Sequence, residues 1–501
     1  MQKVHIPFDN SFARELTDFC IPWKPEKASN PTLHYLNQDL AKELLLEFET
    51  LEDSTLADLF SGNQLPDEAT PVAQVYAGHQ FGHFSPQLGD GRALLIGELI
   101  DGNGKRRDVA FKGSGRTPFS RSGDGKAALG PMLREVLISE AMHALGIPTT
   151  RSLAVAGTGD TVFRDKPLPG AILTRVADSH IRVGTFEFFA SRSATAHLEK
   201  LALYAGQRHY PDLVTKKDFY LEFLRAVSNS QASLVAKWMN VGFIHGVMNT
   251  DNMSIAGESI DYGPCAFMEA FNRKAVFSSI DENGRYAYQN QPMIANWNLA
   301  KLAEAILPLL SENEQEAVDM ANEVLNDFHD LYQKKWLEGI RAKLGLFGSN
   351  QNEDALDIAL AEEWLELLQS NKVDFTLAWR YLADALDGDP SRLYGIFTNP
   401  DVVDSWISKW LARCKLDESP NLRPTSKDRA KLIRSVSPWI IPRNHHVEEA
   451  LNAASDKGDL APFEQLLQAI KNPFEENPCL SKYAQPATEL FTDRYRTFCG
   501  T

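Results

Sequence analysis

Near residue 190 the spacing of apolar residues changes, and this change limits the architectures open to the chain. Before it, short apolar runs are separated by glycine-rich turns. "RALLIGELI" (92–100) and "RRDVAFKGSG" (106–115) read as strands. The "DGNG" between them, Asp101 to Gly104, is a hairpin signal. "SLAVAGTGDTVFRD" (152–165) and "GAILTRVA" (170–177) read as two more strands. The one long helix in this half is "GPMLREVLISEAMHALGI", with Pro131 near its start and Gly146 after its end. After the change, "SATAHLEKLALYAGQRH", "KDFYLEFLRAVSNSQASLVAKWMNVGF" and most of the chain to 475 carry a helical period.

This pattern predicts a bilobal α+β protein, a small β-rich N-lobe and a large helical C-lobe, and motifs in kinase order along the chain make the expected fold protein-kinase-like. The expected divisions are a helical extension over 1–70, the N-lobe over 71–185 and the C-lobe over 186–501. In the extension, "NQDLAKELLLEFETLEDSTLADLF" (37–60) reads as one helix. A length of 501 residues suits more than one packed unit.

Four pieces with kinase chemistry occur in kinase order. In "QLGDGRALLIGEL", Gly89 and Gly91 flank a turn where backbone N–H groups can approach phosphate. In "VAFKGSG", Lys112 ends a strand and would present its ammonium to nucleotide phosphates. The helix "MLREVLISEA" offers Glu135 or Glu140 to orient that lysine, and Glu135 is preferred. "HGVMNTDNMSIAGESIDYG" (245–263) follows an apolar helix. Counted from His245, the metal-binding asparagine falls on Asn252 and the metal-binding aspartate on Asp261. Both offer hard oxygens suited to Mg²⁺ shared with phosphates.

The same count puts Val247 where a kinase carries its base. Valine can neither take a proton nor orient a hydroxyl. The nearest carboxylate is Asp251, which either serves as base or caps the loop.

Longer stretches carry a more specific resemblance. "YAGHQFGHFSPQLGDGRA", "FKGSGRTPFSRSGDGKAALGPMLREVLISEAMHALGIPTTRSL", "HGVMNTDNMSIAGESIDYGP" and "NQPMIANWNLAKLAEAI" look like the selenoprotein O family, also called the YdiU family. The resemblance implies a kinase-like fold that holds ATP in a flipped orientation. It implies transfer of AMP to Ser, Thr or Tyr hydroxyls of proteins, with UMP transfer assigned to some members. Carried over to this chain, the nucleotide contacts fall on Gly89, Gly91, Arg92, Lys112, Asp124, Gly125, Arg175, Arg182 and Asp261. The base falls on Asp251, and the metal ligands, for Mg²⁺ or Mn²⁺, on Asn252 and Asp261. Arginines suit phosphate because a guanidinium binds it as a two-pronged fork. Without the resemblance, Arg175 and Arg182 read as surface residues and the Asp124–Gly125 turn as a plain loop. The family also places a redox residue near the C-terminus, which falls on Cys499.

Other activities fit the sequence less well. An ordinary phosphotransferase needs the base that Val247 replaces. A nucleotide-binding pseudokinase has less need of both Asn252 and Asp261. His79 and His83 are four apart, a zinc spacing on a helix, but glycines surround them and hydrogen bonding is the expected role. "KRR" at 105–107 reads as a solvated hairpin tip. A net charge of −16 disfavours nucleic acid and anionic lipid as partners. Five dispersed cysteines and an N-terminus without a signal-peptide pattern suggest the cytoplasm.

Overall fold

The hairpin signal at Asp101 becomes a tight turn because its carboxylate ties the turn together. Asp101 Oδ1 accepts the N–H groups of Asn103 and Lys105, each at 2.9 Å. The strands it joins, Ala93–Ile100 and Arg106–Lys112, are the centre of an antiparallel sheet. The computed structural model describes residues 4–348, 351–417 and 423–498. Among them, eight strands form that sheet. Their order is Cys20–Pro22, Val72–Gln74, Ala93–Ile100, Arg106–Lys112, Pro167–Ala177, Arg151–Phe163 and Thr32–Leu36, with Ala127–Ala128 pairing beside Pro167–Ala177. Both edge strands come from the first 70 residues. The single helix expected over 37–60 is instead two, Gln38–Glu43 and Asp53–Phe60. The chain breaks between them at Leu45, which takes a left-handed φ of 58°.

The Arg106–Arg107 tip is not solvated as expected. Arg106 donates to Asp9 and Arg107 to Asp101, so the tip is pinned to the N-terminal segment and to its own turn.

The helix Leu129–Ala144 is buried on nearly every side. One face packs on the long hairpin 151–177, and the helices Asn444–Lys457 and Ala461–Ile470 cover another. It ends as expected at Gly146, whose φ of 71° lets its N–H reach the His143 carbonyl at 2.9 Å.

Beyond residue 182 the described chain is mainly helical. The helix Phe219–Val241 ends at Gly242, φ 72°. The strand Phe243–Ile244 then pairs with Ala266–Phe267. This two-stranded clamp pinches off the loop that carries the candidate catalytic residues. The chain is thus a mixed α/β protein, with its β-sheet drawn from the first 177 residues. No helix among the described residues is long and apolar enough to cross a membrane.

Candidate active site

The sheet register brings the first two sequence motifs together. Lys112 pairs with Ala93, and the Gly113 N–H reaches the Arg92 carbonyl at 2.7 Å. The glycine turn therefore lies beside the end of the lysine strand. Across the sheet, Arg175 stands opposite Ala110, two residues from Lys112. The Lys112 ammonium is buried and donates to Glu135. Glu140, the other candidate, is occupied elsewhere: it accepts two bonds from Arg151 at 2.8 Å.

Asp261 completes the cluster. Its Oδ1 accepts from Lys112 Nζ at 2.8 Å and from Arg175 Nη1 at 2.7 Å, and its Oδ2 lies 3.8 Å from Arg182 Nη1. Burial works against its charge, but Arg175, Lys112 and Arg182 outweigh burial and hold the carboxyl well below the usual range. Asp261 sits at φ 64°, a left-handed conformation uncommon outside glycine, which turns the chain sharply at this carboxylate. Three cations here face the two carboxylates of Glu135 and Asp261. The Arg175 Nε is buried with no hydrogen-bond partner among the described residues. A buried donor without an acceptor fits a site that takes up an anion.

Neither arginine is on the surface, contrary to a reading from residue type alone. Arg175 is 4% exposed and Arg182 3%. Arg182 lies over the Tyr76 ring, 4.3 Å from its centroid, and donates to the Asp251 carbonyl at 3.0 Å. It thereby links the sheet to the loop 245–263.

Asp251 lies in the short 3-10 turn Thr250–Asn252. Burial pushes its carboxyl up to about 7, with Arg182 opposing the shift. Its Oδ1 is buried and unpartnered among the described residues. Asn252 Nδ2 donates to the Val247 carbonyl at 3.0 Å, which orients the amide and leaves its oxygen free to act as a ligand. His245 accepts the Val247 N–H on Nδ1 and donates from Nε2 to Ile260, so it braces the loop from within.

The second glycine turn folds back on the lysine strand. The Gly115 N–H reaches the Gly125 carbonyl at 3.1 Å. Gly125 has φ 67°, and a Cβ there would meet the Gly115 carbonyl oxygen at 2.0 Å. Gly125→Ala is expected to cost about 1–3 kcal/mol from backbone strain alone, read as a lower midpoint in urea unfolding. The Asp124 carboxylate is taken by Arg164 and by the Lys126 N–H, and the Arg164 bond lowers its pKa. Gly89 backs onto the Phe119 ring, and Ser120 Oγ donates to the Gly91 carbonyl at 2.5 Å, so this flap covers the first glycine turn. The Arg92 side chain makes no ion pair among the described residues. Cys499 lies outside the described residues.

Several neighbours were not legible in the motifs. Asp90, between the two glycines, is buried and accepts the Gln74 N–H at 2.9 Å; burial pushes its carboxyl up to about 6. Its place inside "GDG" was the available signal. His79 and His83 lie on a hairpin, Gly78–Gln80 with His83–Ser85, not on a helix. His79 is hydrogen-bonded to Glu187, which also accepts from Thr250 beside Asp251. The His79 N–H itself reaches Thr250 Oγ1 at 2.7 Å, so the hairpin clamps the loop that carries Asp251. Gly184 permits this approach, because a Cβ there would lie 2.2 Å from the Ala77 carbonyl oxygen.

A model of the family "Protein adenylyltransferase SelO" matches residues 2–471 of this chain. The chain belongs to the SelO family. It is 56% identical over 481 residues to a "Protein nucleotidyltransferase YdiU" of Chromobacterium violaceum, covering 96% of this chain and 99% of that protein. A relative of the same name from Cereibacter sphaeroides is 55% identical over 495 residues, 99% of both chains. One from Mycobacterium sp. is 52% identical over 497 residues, covering 99% of this chain and all of the relative. The SelO match therefore spans the sheet, the catalytic loop and most of the helical half together.

Proposed function

We propose that this chain transfers AMP from ATP to Ser, Thr or Tyr hydroxyls of proteins, within a kinase-like bilobal fold that holds ATP in a flipped orientation. The observation that carries this reading is the pairing of Val247 with Asp251. The kinase base position is apolar, and a buried carboxylate with one oxygen unpartnered among the described residues stands four residues on, held near Arg182.

In this reaction the acceptor hydroxyl oxygen forms a bond to the α-phosphorus. The bond from that phosphorus to the bridging oxygen breaks, and pyrophosphate leaves with the electron pair. Asp251 takes the hydroxyl proton; with a pKa near 7, it can both accept and release one near neutral pH. Lys112, Arg175 and Arg182 bind the phosphates and neutralise charge that grows on the leaving group. Glu135 holds Lys112 in place. The glycine turns at Gly89, Gly91 and Gly125, with Arg92 and Asp124, contribute the rest of the nucleotide cradle.

Asn252 and Asp261 suit a hard divalent ion, Mg²⁺ or Mn²⁺. Their oxygens come from an oriented amide and a carboxylate kept ionised by its neighbours. When bound, such an ion would neutralise phosphate charge. Cys20, Cys265 and Cys414 are buried free thiols, in keeping with a cytoplasmic protein.

The test is incubation with a protein acceptor and ATP labelled at the α- or the γ-phosphate. Label should reach protein only from the α-position, and Lys112→Ala should reduce it by about 10²-fold or more. Transfer of the γ-label would make the chain a kinase and overturn the reading. Labelled UTP in the same assay separates UMP from AMP transfer.

A further inference from the structure

Beside Asp251 lies a surface that the reaction chemistry leaves unused. Gly78 abuts the Asp251 carboxylate, and the hairpin running on from it carries Phe84, 41% exposed. The His79 ring joins this hairpin to the helix Gln291–Leu310, at 5.0 Å from the Phe84 ring and 5.3 Å from that of Trp297. One helical turn before Trp297 stands Met293, 63% exposed. Over Trp297 lies the Arg285 guanidinium, 4.7 Å from the ring centroid, with the Tyr286 ring at 5.7 Å on another side.

Acidic residues outnumber basic ones, 67 to 51, and the neighbouring Lys301 is paired with Glu304 at 2.8 Å. Arg285 has no carboxylate within ion-pair distance among the described residues, and its Nε is buried without a hydrogen-bond partner. Its own N–H is held by Asp281 Oδ1 at 2.9 Å, so the backbone under it is fixed. A guanidinium set over aromatic rings is pre-oriented. Arg and Trp in a half-buried patch, with Met at the rim, are residue types enriched at protein interfaces.

We propose that Phe84, Met293, Trp297 and Arg285 form the docking surface for the acceptor protein, with Arg285 pairing an Asp or Glu that flanks the modified hydroxyl. The occupant is an acidic, partly apolar peptide segment. Charge complementarity selects it: the free charge here is positive in a chain of net charge −16. This proposal rests on the transfer reading above, which supplies the acceptor hydroxyl.

The experiment uses the full chain and a set of fluorescein-labelled, serine-centred peptides with Glu or Lys at each flanking position. Transfer from α-labelled ATP and binding by fluorescence anisotropy are both measured. Glu should be favoured over Lys by about tenfold at one or two positions, the effect of one well-placed ion pair. Arg285→Glu should invert the preference at those positions, a change that mere loosening of the fold cannot produce. Met293→Glu, at an exposed site, should weaken binding of the same peptides without inverting the preference. Equal transfer to all peptides, or a preference unchanged in Arg285→Glu, overturns the docking surface and leaves the transfer reading intact. Arg285-dependent binding of acidic peptides with no α-label transfer overturns the transfer reading and keeps the surface.

Discussion

Asp261→Ala is expected to remove transfer by about 10³-fold, and to weaken the fold in the same stroke. Asp261 Oδ1 is the shared acceptor of Lys112 and Arg175, and Arg182 stands close to Oδ2. Without the carboxylate, Lys112 and Arg175 are left with Glu135, and Arg182 loses its ion pair. Removing one partner of a buried charge network costs about 3–5 kcal/mol, because the remaining charges lose compensation they cannot regain from water. Thermal unfolding measures that cost, and α-label transfer measures the chemistry. The sign of the pH dependence follows from the depressed pKa. The stability that Asp261 contributes is fully present above its unfolded pKa and is lost only as pH falls toward its lower folded value. The difference in Tm between wild type and variant should therefore be flat from about pH 6 to pH 9. Full transfer activity in Asp261→Ala would remove this residue from the site.

Asp251→Asn should act in opposite directions on function and stability. Loss of the base is expected to lower transfer by about 10²–10⁴-fold. The wild-type rate should rise with pH until the carboxyl is ionised, near pH 7, and level off above it. Folding prefers this group protonated, because burial raises its pKa from 3.8 to about 7. Its ionisation therefore costs the folded state stability at high pH. That cost appears as pH rises from about 4 to about 7 and is complete above. At one unit per 1.36 kcal/mol, the gain for Asn at pH 8 is on the order of 1–4 kcal/mol, and it should vanish near pH 4. A transfer rate that persists in Asp251→Asn, with an unchanged pH profile, would assign the proton to another group. The expected outcome, a lower rate with a more stable fold, has activity and stability competing at a single side chain, as where a charge is kept buried for chemistry.

Local signals were legible where one short segment decides its own conformation. The Asp101–Gly104 turn, the helix ending at Gly146 and the strand ending in Lys112 all follow from nearby residues, and all form as the sequence implies. The stretch 37–60 misled because its helical period runs through Leu45, while packing of Leu44 and Leu46 into the core needs a break there. The tip at 105–107 misled for a related reason. Its partner Asp9 lies almost a hundred residues away, and composition cannot show who meets a charge.

The candidate site divides along the same line. Residue types and spacing alone pointed to Lys112, Asn252 and Asp261, and to Val247 as the departure from a kinase, because each role demands particular atoms in a particular order. Glu135 rather than Glu140 became definite only when the fold gave Glu140 to Arg151. Arg175 and Arg182 came from family likeness, and their burial against Asp261 came from the tertiary structure. Gly184 and Arg285 had no motif to announce them, and Tyr76 and Asp90 lay inside quoted stretches that gave them no role. Their importance lies in contacts made across long stretches of chain, as when Gly184 admits the Ala77 backbone or Arg285 settles on Trp297. The sequence by itself determined the local elements and the inventory of chemical groups, since those depend on near neighbours and intrinsic chemistry. Only the tertiary structure decided which charges are compensated, which carboxyls are raised and which cations lack a carboxylate partner among the described residues, since burial and long-range pairing set those energies.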